Sequence, residues 1–378
     1  MTEKKLTSSK VKTYNRHIIY KLVYQEKEIS RQDIANKLML SLPTVNQNLK
    51  ILKEMNIIDY AGNFQSTGGR KAQVIVPVTN ARVAIGVDIR KKEVRILMVD
   101  LYGAVIDYVK HFLEFSEDID YSQRLSELIE NLVNRNHGRR EYILGVGISI
   151  PGVLKSDPDL IEFAPSLGVT NYPIDKLINK IPYPCIIEND ANAGAFTVVW
   201  NQFNKEPKIY LSVEKGVGGC IILGDGLLRG NRNRAGEFGH MILVPGGKQC
   251  YCGKKGCLEA YISTATISED IGIELEEFFT ELENGNETYG KLWDEYIEYL
   301  CLGLDNLYTA FDTDIVLGGH LTPYLEQYME KITDKLAHLN SFTRENTNSS
   351  FLQLTNYYSR ANAVGAALQW IFKFIESI

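Results

Sequence analysis

One short segment constrains the fold of this chain more than any other. Residues 239–261 read GHMILVPGGKQCYCGKKGCLEAY and hold one histidine and three of the six cysteines of the chain. These four side chains fall within eighteen positions: His240, Cys250, Cys252 and Cys257. Three interpretations are open at this point: a metal site, a disulfide pair, or chance. The clustering of these residues favours a metal, but the spacing C-x-C-x₄-C is uncommon among zinc fingers, so it does not decide the question.

The cellular compartment bears on the disulfide interpretation. The 378-residue sequence contains no apolar run of about 18 residues, so no membrane span is expected. The opening MTEKKLTSSKVKTYNRH is basic but is not followed by an apolar stretch, so we do not expect a signal peptide. The sequence therefore predicts a cytoplasmic protein, in which thiols stay reduced, and this disfavours a disulfide.

Charge is unevenly distributed along the chain. Residues 1–78 contain thirteen Lys and Arg against six Asp and Glu, a net charge of +7, and because the whole chain sums to −6 the rest carries −13. A basic segment joined to a large acidic body is typical of a polyanion-binding domain attached to another module. A solvated basic surface without a ligand would explain the charge equally well.

The basic segment has the pattern of a helix-turn-helix. In EISRQDIANKLMLSLPTVNQNLKILKEMNIIDY (28–60), Ser30 and Ser41 can each cap a helix, and Pro43 suits the first turn of the second helix. A supporting helix is predicted over 14–25, and two strands are predicted around the loop NFQSTGGRK. The pattern predicts a winged helix-turn-helix over 1–78, with a three-helix bundle that does not bind DNA as the alternative.

The second helix of this motif is expected to contact DNA. Its inward positions are apolar, and its outward residues carry hydroxyl, amide or cationic groups that bind base edges and phosphates. Arg70 and Lys71 lie where a wing tip reaches phosphates or the minor groove. Such modules usually read two half-sites as dimers, so the predicted partner is a double-stranded operator. The predicted DNA-binding residues are Ser41, Pro43, Thr44, Asn46, Gln47, Asn48, Lys50, Arg70 and Lys71.

The acidic body alternates strands with helices. Strands rich in β-branched residues follow residue 82, and an amphipathic helix is predicted at YSQRLSELIENLVNRN. The stretch YPCIIEND reads as a strand leading directly into a helix at ANAGAFTVVW. This order predicts an α/β body with a site beyond the strand ends.

The body resembles the ROK family of repressors, open reading frames and kinases, a branch of the actin and hexokinase fold. The most specific motifs are AGEFGHMILVPGGKQCYCGKKGCLE and IENDANAGA, and the winged head with STGGRK is similar to the repressor branch. The resemblance implies a ribonuclease H-like body over 82–378 with two lobes. Lobe one would span about 82–188 plus a C-terminal helix at about 360–378, and lobe two about 189–359.

The resemblance also implies a metal and a sugar site. His240, Cys250, Cys252 and Cys257 would bind one structural zinc, because three thiolates and one imidazole close a tetrahedral site and leave no position for water. An aspartate following the strand would be the general base of a kinase, although Asp190 would equally suit a helix N-cap. Residues 151–168 would close over the sugar. The implied sugar-binding residues are Gly152, Asn189, Asp190, Glu237, His240 and Glu259.

Two phosphate-binding loops depart from the pattern of active kinases in this family. Where those kinases carry D-x-G-G-T, this chain has Asp88-Ile89-Arg90-Lys91-Lys92, and where they carry G-T-G-x-G-G it has EKGVGG at 214–219. The cations could still attract phosphates, but without shaped backbone amides they would hold them loosely. We therefore do not expect ATP or Mg²⁺ to bind. The residues that remain of the nucleotide loops are Asp88, Gly216, Gly218, Gly219, Gly318 and Gly319.

Together these observations predict a sugar-responsive DNA-binding regulator, expected to repress genes for carbohydrate use as a homodimer or homotetramer. Relatives of this kind respond to xylose, glucose or N-acetylglucosamine. One alternative is an active sugar kinase with a DNA-binding head. Another is a regulator that ignores sugar and docks a protein partner, which would have a failed sugar pocket.

Overall fold

The structure, a computed structural model, describes residues 8–64, 72–136, 140–156, 159–201, 205–339 and 351–378. Every structural statement below refers to these residues. Gly68, Gly69, Arg70 and Lys71 of the predicted wing tip lie outside them.

The basic head is a winged helix-turn-helix. Its helices are α1 (Ser8–Glu26), α2 (Arg31–Leu38) and α3 (Leu42–Glu54), and strands β1 (Ile58–Asn63) and β2 (Gln73–Pro77) pair antiparallel. The Oγ atoms of Ser30 and Ser41 accept the amide N–H groups of Asp33 (3.1 Å) and Thr44 (3.3 Å), so the predicted caps are confirmed.

Helix α3 corrects one sequence-based expectation. Val45, Leu49 and Leu52 are buried as predicted, but Asn48, predicted to face outward, is also buried. Its Nδ2 donates to the backbone carbonyl of Thr44 at 2.8 Å, so this amide donor has a hydrogen-bond partner although the residue is buried. Position 48 lies one turn after Val45 and one turn before Leu52, on the side of α3 that faces its neighbouring helices.

The first part of the body is built on a five-stranded sheet with the order β10-β6-β3-β4-β5. A second, three-stranded antiparallel sheet, β7-β8-β9, covers residues 153–173. The elements are β3 (Val83–Ile89), β4 (Glu93–Val99), β5 (Val105–Phe112), α4 (Ile119–Arg135), β6 (Ile143–Ile150), β7 (Val153–Ser156), β8 (Asp159–Ala164), β9 (Val169–Pro173), α5 (Ile174–Ile178) and β10 (Cys185–Asn189).

The second part carries another five-stranded sheet, with the order β13-β12-β11-β14-β15. Its elements, with the helices that flank it, are α6 (Asp190–Asn201), β11 (Lys208–Val213), β12 (Val217–Leu223), β13 (Gly226–Leu228), α7 (Glu259–Ile262), α8 (Leu275–Glu283), α9 (Glu287–Phe311), β14 (Asp314–Gly318), α10 (Thr322–Leu325), α11 (Met329–Leu339) and β15 (Leu352–Leu354). Helix α12 (Ala361–Ser377) follows β15.

The two five-stranded sheets share one topology. In each, the first strand is central, two strands follow antiparallel on one side, and two strands lie parallel on the other side. This repeated α/β arrangement confirms the predicted fold class. It also means that the carboxyl ends of β3 and β11 carry equivalent loops.

Helix α12 packs against the first sheet and against α6. Two glycines of the sheet allow this close approach, because a Cβ at Gly86 or Gly147 would lie 1.9 or 2.0 Å from a backbone carbonyl oxygen of α12. The helix is accordingly almost entirely buried over its first two turns. No helix within the described ranges is long and apolar enough to cross a membrane.

Candidate functional site

The His/Cys segment folds back on itself to gather its four side chains. Two short antiparallel bridges, Ile242 with Cys257 and Gln249 with Lys255, close the loop. The ligand atoms of His240, Cys250, Cys252 and Cys257 all lie within 4.8 Å of one another. The segment therefore brings together all four residues that the sequence singled out.

The donor set fits a tetrahedral zinc ion. With Zn–S bonds of about 2.3 Å, ligand atoms at tetrahedral corners lie about 3.8 Å apart. The Sγ atoms of Cys252 and Cys257 are 3.6 Å apart, and Cys250 Sγ is 3.7 Å from Nδ1 of His240. A disulfide would need about 2.05 Å between sulfurs, and the structure pairs none of the six cysteines, so the geometry favours the metal interpretation over the disulfide.

The second ring nitrogen of His240 is already engaged. The hydroxyl of Tyr251 lies 3.1 Å from Nε2, while Nδ1 faces Cys250. The resemblance implied that His240 binds sugar, and because Nδ1 faces Cys250 only Nε2 is left for this contact, so a sugar hydroxyl would have to displace Tyr251. The position of Tyr251 between two cysteines gave no signal of this role.

Glu259 connects the His/Cys cluster to the glycine-rich start of β12. Its Oε2 accepts the backbone N–H of Val217 at 2.8 Å, and its Oε1 lies 3.9 Å from Sγ of Cys250. In the same strand, a Cβ at Gly218 would lie 2.9 Å from the Cβ of Ala191, at the start of α6. The start of β12 therefore lies between Glu259 and the first turn of α6.

The Asn-Asp pair lies at the junction of β10 and α6. Nδ2 of Asn189 donates to the carbonyl oxygen of Gly152 at 3.0 Å, and its Oδ1 accepts the amide of Asn192 at 3.1 Å. Asn189, rather than Asp190, therefore makes the capping hydrogen bond of α6. Gly152 has φ +110°, and a Cβ there would lie 2.4 Å from the carbonyl oxygen of Phe163, so only glycine fits without strain.

Asp190 lies in a desolvated site near the carboxylate of Glu214. Burial, and then the nearby Glu214, raises the pKa of Asp190 to about 7. The carboxylate accepts the amide N–H of Ala191 at 2.9 Å. An aspartate with this pKa can hold a proton near neutral pH, which suits hydrogen bonding to a hydroxyl.

The altered phosphate loops meet in a buried ion triad. Nε of Arg90 donates to Oδ2 of Asp88 at 2.8 Å, and Nη2 of Arg90 lies 2.8 Å from Oε2 of Glu214. The second contact is ionic, because no N–H of Nη2 points along it. Asp88 ends β3 and Glu214 follows β11, so Arg90 joins the strand ends of the two sheets.

The other cations of the first loop behave differently. Lys91 and Lys92 are exposed, whereas Arg90 is largely buried with only 17% of its side chain accessible. Beside the triad, burial and the cations Arg90 and Arg95 lower the pKa of His320 to about 3. Nε2 of the neutral His320 ring can then accept a hydrogen bond from Nη1 of Arg95 at 2.8 Å.

The glycines at the end of β14 have a packing role. A Cβ at Gly318 would lie 2.0 Å from the hydroxyl of Tyr210, and Gly319 has φ +92° with the carbonyl oxygen of Val213 close by. These glycines are therefore required by the fold whether or not a nucleotide binds.

The candidate DNA-binding surface is the outer side of α3. Asn46, Gln47 and Lys50 are exposed, as are Ser41 and Pro43 at its start. Thr44 is half-buried, and its hydroxyl is 2.8 Å from that of Ser41. Sequence reasoning missed one exposed cation here: Nη1 of Arg31 reaches Oδ1 of Asn46 at 3.5 Å. A basic residue directly after the cap Ser30 was the available signal.

Comparison with known families decides the wider relationship. The sequence profile of the ROK family matches residues 84–372, and a winged helix-turn-helix DNA-binding profile matches residues 13–59. The chain belongs to the ROK family. The resemblance noted in the sequence was based on its His/Cys segment, its Asn-Asp pair and its winged head.

Several curated ROK relatives are repressors. The xylose repressor of Bacillus spizizenii is 27% identical over 316 residues, covering 81% of this chain and 82% of that protein. The Escherichia coli DNA-binding transcriptional dual regulator NagC is 26% identical over 264 residues, covering 69% of this chain and 65% of NagC.

Solved ROK structures agree with the fold. A ROK family transcriptional regulator, described as a homolog of E. coli MLC protein, superposes with a TM-score of 0.76 and 20% identity over 97% of both chains. The ROK hexokinase from Thermus thermophilus has a TM-score of 0.61 and 27% identity, covering 76% of this chain and 97% of its own. The regulator thus matches the head and body together, whereas the kinase spans a smaller share of this chain.

Proposed function

We propose that this ROK protein is a sugar-responsive DNA-binding repressor whose kinase-like cleft no longer transfers phosphate. One observation carries the proposal: an ion triad of Asp88, Arg90 and Glu214 fills the strand ends where the active kinases hold phosphates. The sugar-binding residues on the other side of the cleft are retained. A cleft with ligand groups for a sugar and none shaped for phosphates is a sensor rather than an enzyme.

The sugar is held by the six residues predicted from the sequence: Gly152, Asn189, Asp190, Glu237, His240 and Glu259. It lies between lobe one (about 82–188 with about 360–378) and lobe two (about 189–359), each of which contains one five-stranded sheet. Contacts of Asn189 with Gly152, and of Glu259 with the metal cluster, support a shared site. Relatives named xylose repressor make xylose the first candidate effector.

The metal is a structural zinc bound by His240, Cys250, Cys252 and Cys257. Four ligand atoms within 4.8 Å of one another, with two pairs at 3.6 and 3.7 Å, support this assignment. Zinc would fix the loop that carries His240 and, through Cys250, the position of Glu259. Free thiols throughout the chain also fit the expected cytoplasmic location.

The head binds a double-stranded operator as a homodimer or homotetramer. The exposed residues Asn46, Gln47 and Lys50 of α3 read the major groove, and Arg31 and the wing residues Arg70 and Lys71 contact the backbone or minor groove. Arg31 and Lys50 supply charge at the edge of the exposed polar surface of α3.

Direct contacts between head and body support a route for the sugar signal. Tyr24 of α1 stacks on Tyr102 with ring centroids 4.2 Å apart and donates to the carbonyl of Leu101 at 2.8 Å. Trp200 contacts the edge of Tyr24, with centroids 6.0 Å apart. Trp200 lies near the end of α6, the helix that begins at Asp190. A shift of α6 on sugar binding would therefore reach α1.

A second junction links α1 to the C-terminal helix. Nε of Arg16 donates to the carbonyl oxygen of Ile378 at 2.8 Å, and Lys21 lies 3.3 Å from Glu376. Residues of the head and of α12 share one hydrophobic core. Helix α12 also packs on α6. A movement of α6 would therefore reach α1 through both junctions, the one at Tyr24 and the one at α12. A coupling free energy of about 1–3 kcal/mol is usual for such switches.

The test is an Asp190→Ala variant, assayed by fluorescence anisotropy on a DNA fragment selected by the protein from a random library. Wild-type protein is expected to change its DNA affinity with one sugar among xylose, glucose and N-acetylglucosamine. Asp190→Ala should bind the same DNA and lose the sugar response, whereas Asp175→Ala, an exposed aspartate on α5, should behave as wild type.

Two results would contradict the proposal. Loss of DNA binding without sugar in Asp190→Ala would mean that the residue maintains the fold of the head rather than senses the effector. Sugar phosphate formed from MgATP at ordinary turnover, detected by mass spectrometry, would show that the protein is a kinase with a DNA-binding head.

A further inference from the structure

A polar cavity of about 260 Å³ lies beside the residues proposed to bind sugar. Gly152, Asn189 and Glu237 belong to both the cavity wall and the proposed sugar site, whereas Asp190, His240 and Glu259 do not line the cavity. The cavity is therefore an extension of the sugar site along β10. No role has been assigned to it so far.

The floor of the cavity contains an ion pair between the buried Glu188 and the exposed Arg229, whose side chain is 48% accessible. The side chain of Glu188 is 5% exposed, and Nη1 of Arg229 donates to its Oε1 at 3.0 Å. Nδ2 of Asn192 donates to the same Oε1 at 3.1 Å. Because this carboxylate is neutralised by Arg229, the floor carries no strong net charge that would attract an ion.

Several polar groups around the cavity have unused hydrogen-bonding capacity. Asn192 and Asn233 each donate through Nδ2, and their Oδ1 atoms have no donor among the described residues. Glu237 lines the cavity, and its carboxylate makes no hydrogen bond or ion pair within the same ranges, although its backbone carbonyl accepts the N–H of His240 at 3.1 Å. Gln369, on α12, also lines the cavity, and its Nε2 is buried without an acceptor. Such an unpaired donor is costly, so a ligand acceptor there would be stabilising.

We propose that the cavity is a second sugar subsite and that the effector is a two-ring glycoside. The inference rests on the proposed function: the first ring occupies the monosaccharide site, and the second ring fills the cavity across Gly152, Asn189 and Glu237. Amide oxygens, an amide donor and a carboxylate suit the hydroxyl groups of a neutral sugar, each of which both donates and accepts. A single ring in the monosaccharide site would leave Oδ1 of Asn192, Oδ1 of Asn233 and Nε2 of Gln369 without partners.

The test compares one-ring and two-ring sugars by isothermal titration calorimetry on the full chain loaded with zinc. The probes are xylose and xylobiose, glucose and cellobiose, and N-acetylglucosamine and its β-1,4 dimer. For the matching pair, the two-ring sugar is expected to bind with a Kd roughly tenfold lower than the one-ring sugar. Gln369→Leu should remove this advantage and leave the one-ring Kd in place.

Gln369→Leu is a mild variant, because it replaces an unsatisfied buried amide by an apolar group of similar size. The matched control is Gln123→Leu on the exposed side of α4, which should change neither Kd. Equal Kd values for one and two rings, or an equal loss of both in Gln369→Leu, would overturn the subsite and leave the proposed function intact. If none of the six sugars bound, the proposed function and the subsite would fall together.

Discussion

Replacing Arg90 by methionine tests whether the ion triad joins the two sheets. Methionine retains much of the length of the side chain but removes the charge, so Asp88 and Glu214 would remain as neighbouring carboxylates without a cation. The side chain of Asp88 is 2% exposed and that of Glu214 is 16% exposed, so water cannot replace arginine at Asp88.

The expected loss follows from what each carboxylate retains. Breaking a buried ion pair by removing one partner costs about 3–5 kcal/mol. Asp88 would keep one long hydrogen bond from Ser149 (3.3 Å), and Glu214 would keep one from Asn362 (3.3 Å) together with some solvent. These contacts place the loss of unfolding free energy for Arg90→Met at the lower end, about 3 kcal/mol.

Urea unfolding of the full chain, followed by far-ultraviolet circular dichroism, measures this loss. Lys91→Met is the matched control, because the neighbouring Lys91 is exposed and has no ion pair among the described residues. It should change the unfolding free energy by no more than about 0.5 kcal/mol. Adding Asp88→Asn and Glu214→Gln to Arg90→Met should recover most of the loss. If Arg90→Met alone were as stable as Lys91→Met, the reasoning about the triad would be refuted.

Two further predictions concern pH and metal. The pKa of Asp190 is raised to about 7, so ionising this carboxyl destabilises the folded state. The free energy of unfolding should therefore fall as pH rises from the ordinary aspartate pKa through about 7. Asp190→Asn should therefore gain up to about 3 kcal/mol over wild type between about pH 5 and pH 8 in urea unfolding, and parallel pH profiles would contradict the shift. Purified protein should contain roughly one zinc ion per chain by mass spectrometry of the metal, and its removal by a chelator should lower Tm and abolish the sugar response. Cys252→Ser should lose the ion while Cys185→Ser keeps it, so full zinc content in Cys252→Ser would exclude this site.

Local signals in the sequence predicted local structure well. Ser30, Ser41 and Pro43 define helix starts by interactions within four residues, and the structure has the predicted caps. Asn48 was wrongly placed because its burial depends on how α3 packs against neighbouring helices. An amide side chain that bonds to its own helix backbone gives no sign of that packing in a sequence.

Contacts between distant segments could be predicted only in part. The His/Cys cluster is compact in the sequence, so its four members could be grouped before the fold was known. The hydrogen bond of Tyr251 to Nε2 of His240 depends on the turn between two cysteines, and the cavity depends on α12 bringing Gln369 beside β10. Neither has a spacing that distinguishes it from an ordinary surface or core residue.

The two altered phosphate loops show most clearly what sequence reasoning leaves out. In the sequence, Arg90 and Glu214 look like separate losses: a cation replaces a glycine in one loop, and a carboxylate occupies the other. In the structure they are partners, because the cation of the first loop is neutralised by the carboxylate of the second and by Asp88. Reversing either change alone would leave a buried charge unpaired, so restoring a glycine at position 90 should destabilise the fold without producing a phosphate site. If the cleft is non-catalytic as proposed, recovering nucleotide binding would require both loops to change together, because the ion triad stabilises the fold only when its three charges are present.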